Sequence, residues 1–195
     1  MKLITPLFFF LFINVTFSQD YREATIVFND STSIKGFAEI KNNEIYFKLK
    51  QEDKPDKWSY NIAKGIIFSG YGFSEKFEYL KSGKHSKPKI FEVIEEGNIN
   101  LYRESRMNYT SNGNTTAGKL PANFSTYDFT TETFYVKKKS EEFATDISFS
   151  FKTTAKKYFS DCEKIIEQIR NGKFTRKNIP DMVFYYNEFC DENKE

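Results

Sequence analysis

Apolar and polar residues alternate in short runs from Ala24 to about Lys138, and the period then lengthens to that of a helix. Within the first region, Ile26 and Phe28 share one face of a predicted strand that ends at Asn29-Asp30-Ser31. Ile34, Ala38 and Ile40 mark a second strand, turning at Lys41-Asn42-Asn43. The third shows the pattern most plainly. Ile45, Phe47 and Leu49 alternate with Glu44, Tyr46, Lys48 and Lys50, so one face is expected in the core and the other in water. These three predict a meander.

After a polar loop around Pro55, further strands are predicted over 57–60, 65–69 and 77–81, although Phe73, Phe77 and Leu80 also fit a helical spacing. Residues 82–88 form a Lys-rich loop. Segments 90–96 and 99–105, joined by Gly97-Asn98, read as a hairpin because that dipeptide tolerates the positive φ of a tight turn. The polar stretch 107–127, rich in Asn, Thr, Ser and Gly, predicts an irregular excursion. A strand over 131–138 closes the region.

Composition changes at Lys139-Ser140-Glu141-Glu142. Phe151, Ala155, Tyr158 and Phe159 would share a face of a first helix. Ser160 with Glu163 three places on is a capping-box pattern for a second, whose buried stripe is Cys162, Ile165, Ile166 and Ile169 and whose stop is Asn171-Gly172. Asn178 can cap a third helix, with Pro180 tolerated in its first turn and Met182, Val183, Tyr186, Phe189 and Cys190 on its buried side. The expected fold is α+β: an antiparallel β-rich body over 19–140, a meander, sandwich or roll, and a C-terminal helical segment over 141–195 packed on it.

The first eighteen residues change where this fold is expected to work. Met1-Lys2, an apolar run from Leu7 to Ile13, and Thr16-Phe17-Ser18 before Gln19 read as a secretory signal peptide over 1–18, with cleavage near Ser18. Thr5, Pro6 and Asn14 interrupt the run, which is too short for a spanning helix of about 20 residues. No later segment is long and apolar enough to be membrane-spanning, and no cysteine follows the cleavage point to accept a lipid. A periplasmic or secreted protein is expected. The chain carries 29 basic and 27 acidic residues. So even a balance offers no field for nucleic acid or anionic membranes.

Export bears directly on the two cysteines. Cys162 begins the second predicted helix and Cys190 ends the third, ends that are neighbours in an antiparallel hairpin, so a disulfide is expected. The alternatives are a metal pair or a redox dithiol, but a single histidine leaves a zinc site short of ligands, and no Cys-x-x-Cys is present.

Other chemistry-bearing residues carry little. His85, in Gly83-Lys84-His85-Ser86-Lys87, is the one imidazole available for acid–base work, and no nucleophile elbow accompanies it. Gly113-Asn114-Thr115-Thr116-Ala117-Gly118-Lys119 matches the start of a phosphate-binding loop, yet Leu120 and Pro121 stand where a hydroxyl residue and a helix should follow. Glu95-Glu96 and Glu141-Glu142 invite a glycosidase reading, but adjacent residues of an extended strand point to opposite faces. Asn29, Asn108, Asn114 and Asn123 fit the glycosylation triplet, a frequent chance match in an Asn-rich chain. No calcium loop is evident. No catalytic residue, metal ligand or cofactor is assigned.

Several local patterns together resemble a family of small exported proteins of unknown function common in Bacteroidota. They are Lys64-Gly65-Ile66-Ile67-Phe68, Phe91-Glu92-Val93-Ile94-Glu95-Glu96-Gly97 leading to Leu101-Tyr102, Tyr158-Phe159-Ser160-Asp161-Cys162, and Tyr186-Asn187-Glu188-Phe189-Cys190. The resemblance implies an envelope or secreted location and a paired-cysteine tail, and lends no catalytic residues. The function expected is a non-enzymatic cell-envelope binding or interaction module, its partner an envelope protein or a glycan. Tyr46, Tyr102 and Tyr135, expected on outer sheet faces, would supply contact area. The alternative is a hydrolase acting on envelope or extracellular polymers, with carboxylates brought together only by folding.

Overall fold

Among the described residues, ten strands form one antiparallel sheet in the order β10-β9-β8-β7-β6-β5-β1-β2-β3-β4. They are β1 (Arg22–Phe28), β2 (Ser33–Lys41), β3 (Glu44–Lys48), β4 (Asp56–Trp58), β5 (Ala63–Gly70), β6 (Phe73–Leu80), β7 (Lys89–Glu95), β8 (Ile99–Asn112), β9 (Ser125–Lys138) and β10 (Thr145–Asp146). The helices that follow are α1 (Phe151–Tyr158), α2 (Glu163–Arg170) and α3 (Ile179–Phe189), the last entered through a 3-10 turn at Arg176–Asn178. The computed structural model describes residues 21–70, 72–112 and 125–190. The α+β class and the order of its two parts are as the sequence predicts.

Alternation puts Ala24, Ile26, Ala38, Ile45, Phe47, Ile66 and Phe68 on one face, where they are buried together. That face is the inside of a roll. Strands β3 and β6 lie four places apart, roughly 19 Å in a flat sheet at the usual strand spacing. Yet the Tyr79 hydroxyl donates to the Asn43 carbonyl at 3.0 Å, and Asn43 also bonds Pro88 and Ile90. Asn42 and Asn43 both have positive φ, as the two-residue turn between Lys41 and Glu44 requires. Gly36 permits a close approach of β3 to β2: a Cβ there would collide with the Lys48 carbonyl oxygen and lie 2.6 Å from Phe47 Cζ.

Toward β8 and β9 the same face carries Ile99, Leu101 and Val136, which the helices cover with Phe151, Phe159, Ile165, Ile169, Met182 and Val183. The opposite face buries Phe91, Tyr102, Tyr135 and Ala144. The chain after β9 crosses this second face, and the Ala144 N–H donates to the Lys81 carbonyl at 2.8 Å.

Several expectations are corrected. Residues 107–127 are not wholly irregular: β8 and β9 stay paired as far as Asn112 with Ser125. The strand expected over 77–81 is present but begins earlier, at Phe73, and the strand expected over 57–60 is Asp56–Trp58. Strand β10 lies past the boundary placed at 140, so the C-terminal segment contributes to the sheet. Leu49 is 61% exposed because β3 stops at Lys48. Phe189 is 64% exposed, stacked on Tyr185, and Asn187 takes the buried position instead. Cys162, rather than Ser160, is the N-cap of α2. Asn178 does not cap α3 with its side chain; it completes a capping box with Thr175 around the 3-10 turn. The phosphate-loop-like segment 113–120 lies outside the described residues, as do Asn114, Asn123 and the leader.

Candidate functional site

The roll leaves a cleft of about 580 Å³ between its β1–β2 side and its β7–β8 side. Its floor is apolar: Ala38, Ile40, Phe68, Phe77 and Ile90. Strand register brings them together, since Ile66 opposes Phe77, Phe77 opposes Glu92, and Glu92 opposes Arg103 across successive strands. Phe68 and Phe77 meet edge to face with centroids 5.7 Å apart, a favourable ring geometry.

Charged side chains form the rim, and each of the following is held by a neighbour. The Arg22 guanidinium lies 4.7 Å above the Phe68 ring and pairs with Glu75 at 2.7 Å. Arg103 forks onto one Glu92 oxygen at 2.7 and 2.8 Å and reaches Glu132 at 2.9 Å. Burial works against the charge on Arg103, but those two carboxylates outweigh it and raise its pKa above the ordinary value. On the other face of β8, Glu104 accepts from Lys89 at 3.1 Å and Arg106 at 2.9 Å. Burial disfavours its ionised form, yet the hydrogen bonds from Arg106 and Lys89 prevail and lower its pKa. A general acid needs the opposite shift.

The tyrosines expected to face outward divide. Tyr46 is half-buried, whereas Tyr102 is 2% and Tyr135 9% exposed. Both belong to the second core, where Tyr135 meets Phe91 with centroids 4.8 Å apart. Burial pushes each hydroxyl up to about 12. Their hydroxyls are spent on Glu78 and Glu104, so they offer no outer contact surface. The strap after β9 covers this face, and nothing in the local alternation announces it.

The cysteines are joined. Cys162 and Cys190 form a disulfide with Cα atoms 5.7 Å apart, binding the start of α2 to the end of α3. Beside it, Asp161 accepts from the Tyr186 hydroxyl at 2.7 Å and pairs with Lys138 at 3.0 Å. The Tyr158 hydroxyl donates to Glu141 at 2.6 Å; burial and that carboxylate raise its pKa strongly. These bonds tie the helices to the end of β9.

The remaining sequence candidates stay apart. His85 is exposed in the loop after β6. Glu96 pairs with Lys76 at 2.6 Å, and Glu141 is engaged by Tyr158, so neither adjacent carboxylate pair forms a converging acid–base unit. Among the described residues, no group of three or more His, Cys, Asp or Glu side chains could hold a metal ion, and no helix is long and apolar enough to cross a membrane. The cleft itself has no linear signal: its walls come from six strands, and the sequence shows only that floor residues such as Ala38, Ile40 and Phe77 are apolar. The chain matches no protein-family model, no curated protein and no solved structure.

Proposed function

We propose that the chain is an exported cell-envelope module of the kind found in Bacteroidota, binding a partner in the cleft of its roll without chemical turnover. The observation that carries this reading is the combination of an apolar floor with a rim on which Arg103 already holds Glu92. Phe77, Ile40 and Ile90 are half-buried and offer area that gains by leaving water, while Glu92 is neutralised by Arg103. A site arranged in this way holds a ligand by shape and apolar contact. The disulfide supports an oxidising compartment, in keeping with cleavage near Ser18.

A photo-crosslinking side chain placed at Ile40, in the full-length protein expressed in its native host, tests the reading. One reproducible adduct from Ile40, and none from the same group placed at Ile67 on the opposite face, is the expected result. Equal adducts from both positions, or none from either, would remove the cleft as the binding site. Cell fractionation and N-terminal sequencing of the same material test export and the cleavage position.

A further inference from the structure

The two ends of the Cys162–Cys190 bond are chemically unequal. Cys162 is 6% exposed and is the N-cap of α2, where the first N–H groups of the helix have no intrahelical acceptor and favour negative charge. Cys190 is the more exposed and closes α3, its N–H donating to the Tyr186 carbonyl at 3.0 Å, at a helix end that disfavours a thiolate. The carboxylates nearest Cys162 in sequence are both engaged: Asp161 by Lys138 and Tyr186, Glu163 by Arg170 at 3.6 Å. In thiol–disulfide exchange the accessible sulfur is attacked, and the better leaving group is the thiol with the lower pKa. Cys190 is half-buried against the helical core but more exposed than Cys162, so residue exposure and helix-end position point the same way.

We propose that this disulfide is an exchange site with a fixed polarity, open to a small external thiol at Cys190. The thiolate forms a new S–S bond to Cys190 Sγ as the bond to Cys162 breaks, and the electron pair departs on Cys162 Sγ. One disulfide replaces another, so nothing is oxidised or reduced overall. The product carries a mixed disulfide on Cys190 and a thiolate at the start of α2. Return attack by Cys162 expels the small thiol and restores the bond. This assignment rests on the helix ends and on export, and is independent of the cleft.

Glutathione is a suitable probe for the folded wild-type protein, followed by acid quench, alkylation with N-ethylmaleimide and peptide mapping. Glutathione on Cys190 with maleimide on Cys162, in at least about tenfold excess over the reverse arrangement, is expected. An even split, the reverse arrangement, or no adduct until denaturant is added overturns the proposal. The single-thiol variants Cys190→Ser and Cys162→Ser supply a second measurement. The thiol left at Cys162 should become reactive at lower pH than the one left at Cys190, and the opposite order is equally fatal.

Discussion

Asn187 spends one polar side chain on both backbone groups of a single residue. Its Oδ1 accepts from the Ile99 N–H at 3.1 Å and its Nδ2 donates to the Ile99 carbonyl at 3.0 Å, with the side chain 5% exposed. The amide rests where Gly97 lacks a side chain, since a Cβ there would stand 2.5 Å from Asn187 Cγ. Truncation to alanine strands a buried donor and a buried acceptor, at an expected cost of about 2–4 kcal/mol in urea unfolding. Gly97→Ala should destabilise the wild type and cost little further in the Asn187→Ala background, a coupling that a double-mutant cycle reads directly. Asp161 is one source of acid sensitivity, alongside Glu104. Burial opposes its charge, but Tyr186 and Lys138 prevail and hold its pKa below the ordinary 3.8. A lowered folded value means that the unfolded chain binds the proton more readily, so this contribution is present above 3.8 and fades as pH falls through the lowered value. Asp161→Asn should therefore lose less stability than wild type between about pH 6 and about pH 2, measured by chemical denaturation at each pH.

Among the elements, β2 shows what determines the shape of the sheet. Its Gly36 lies beneath Phe47, and an added methyl would meet both that ring and the Lys48 backbone. Gly36→Ala should cost about 1–3 kcal/mol through overpacking. Gly70, at the end of β5 with nothing near its position, should accept alanine with a change within about 0.5 kcal/mol, by the same denaturation assay. Strand identity was legible wherever a buried face forced period-two alternation, as at Ile45 and Phe47, and the cysteine pairing was legible because it needed only two helix ends. What escaped was set by distant contacts. Tyr102 and Tyr135 are buried by a strap arriving from later in the chain, and Leu49 is exposed because its strand stops one residue earlier. The paired ends of β8 and β9 are polar enough to read as loop, although their Thr and Tyr residues suit a strand. Sequence alternation indicates which residues face inward, but it does not indicate how far the sheet curls, and the cleft is a product of that curl.

Taken as a whole, the molecule joins a roll closed on its own core to a helical cap fixed at both ends of its hairpin. The disulfide closes a loop with a sequence separation of 28, which constrains the unfolded chain by about 3–4 kcal/mol in the chain-entropy account. The double variant Cys162→Ala/Cys190→Ala should melt lower by on the order of 10 °C by calorimetry. Closure of the roll has a different cost. The contacts of Asn43 with Pro88 and Ile90 join positions 45 and 47 residues apart, across β1, β2, β5 and β6, and such non-local contacts form later than the neighbouring hairpins. Until then Phe68 and Phe77 stand in water at the centre of an open sheet, sticky toward any other unfinished chain. The curl that shapes the cleft thus makes its floor one of the last surfaces to be sheltered during folding. Whatever shields the chain as it folds must cover that surface until the turn at Asn43 has closed over it.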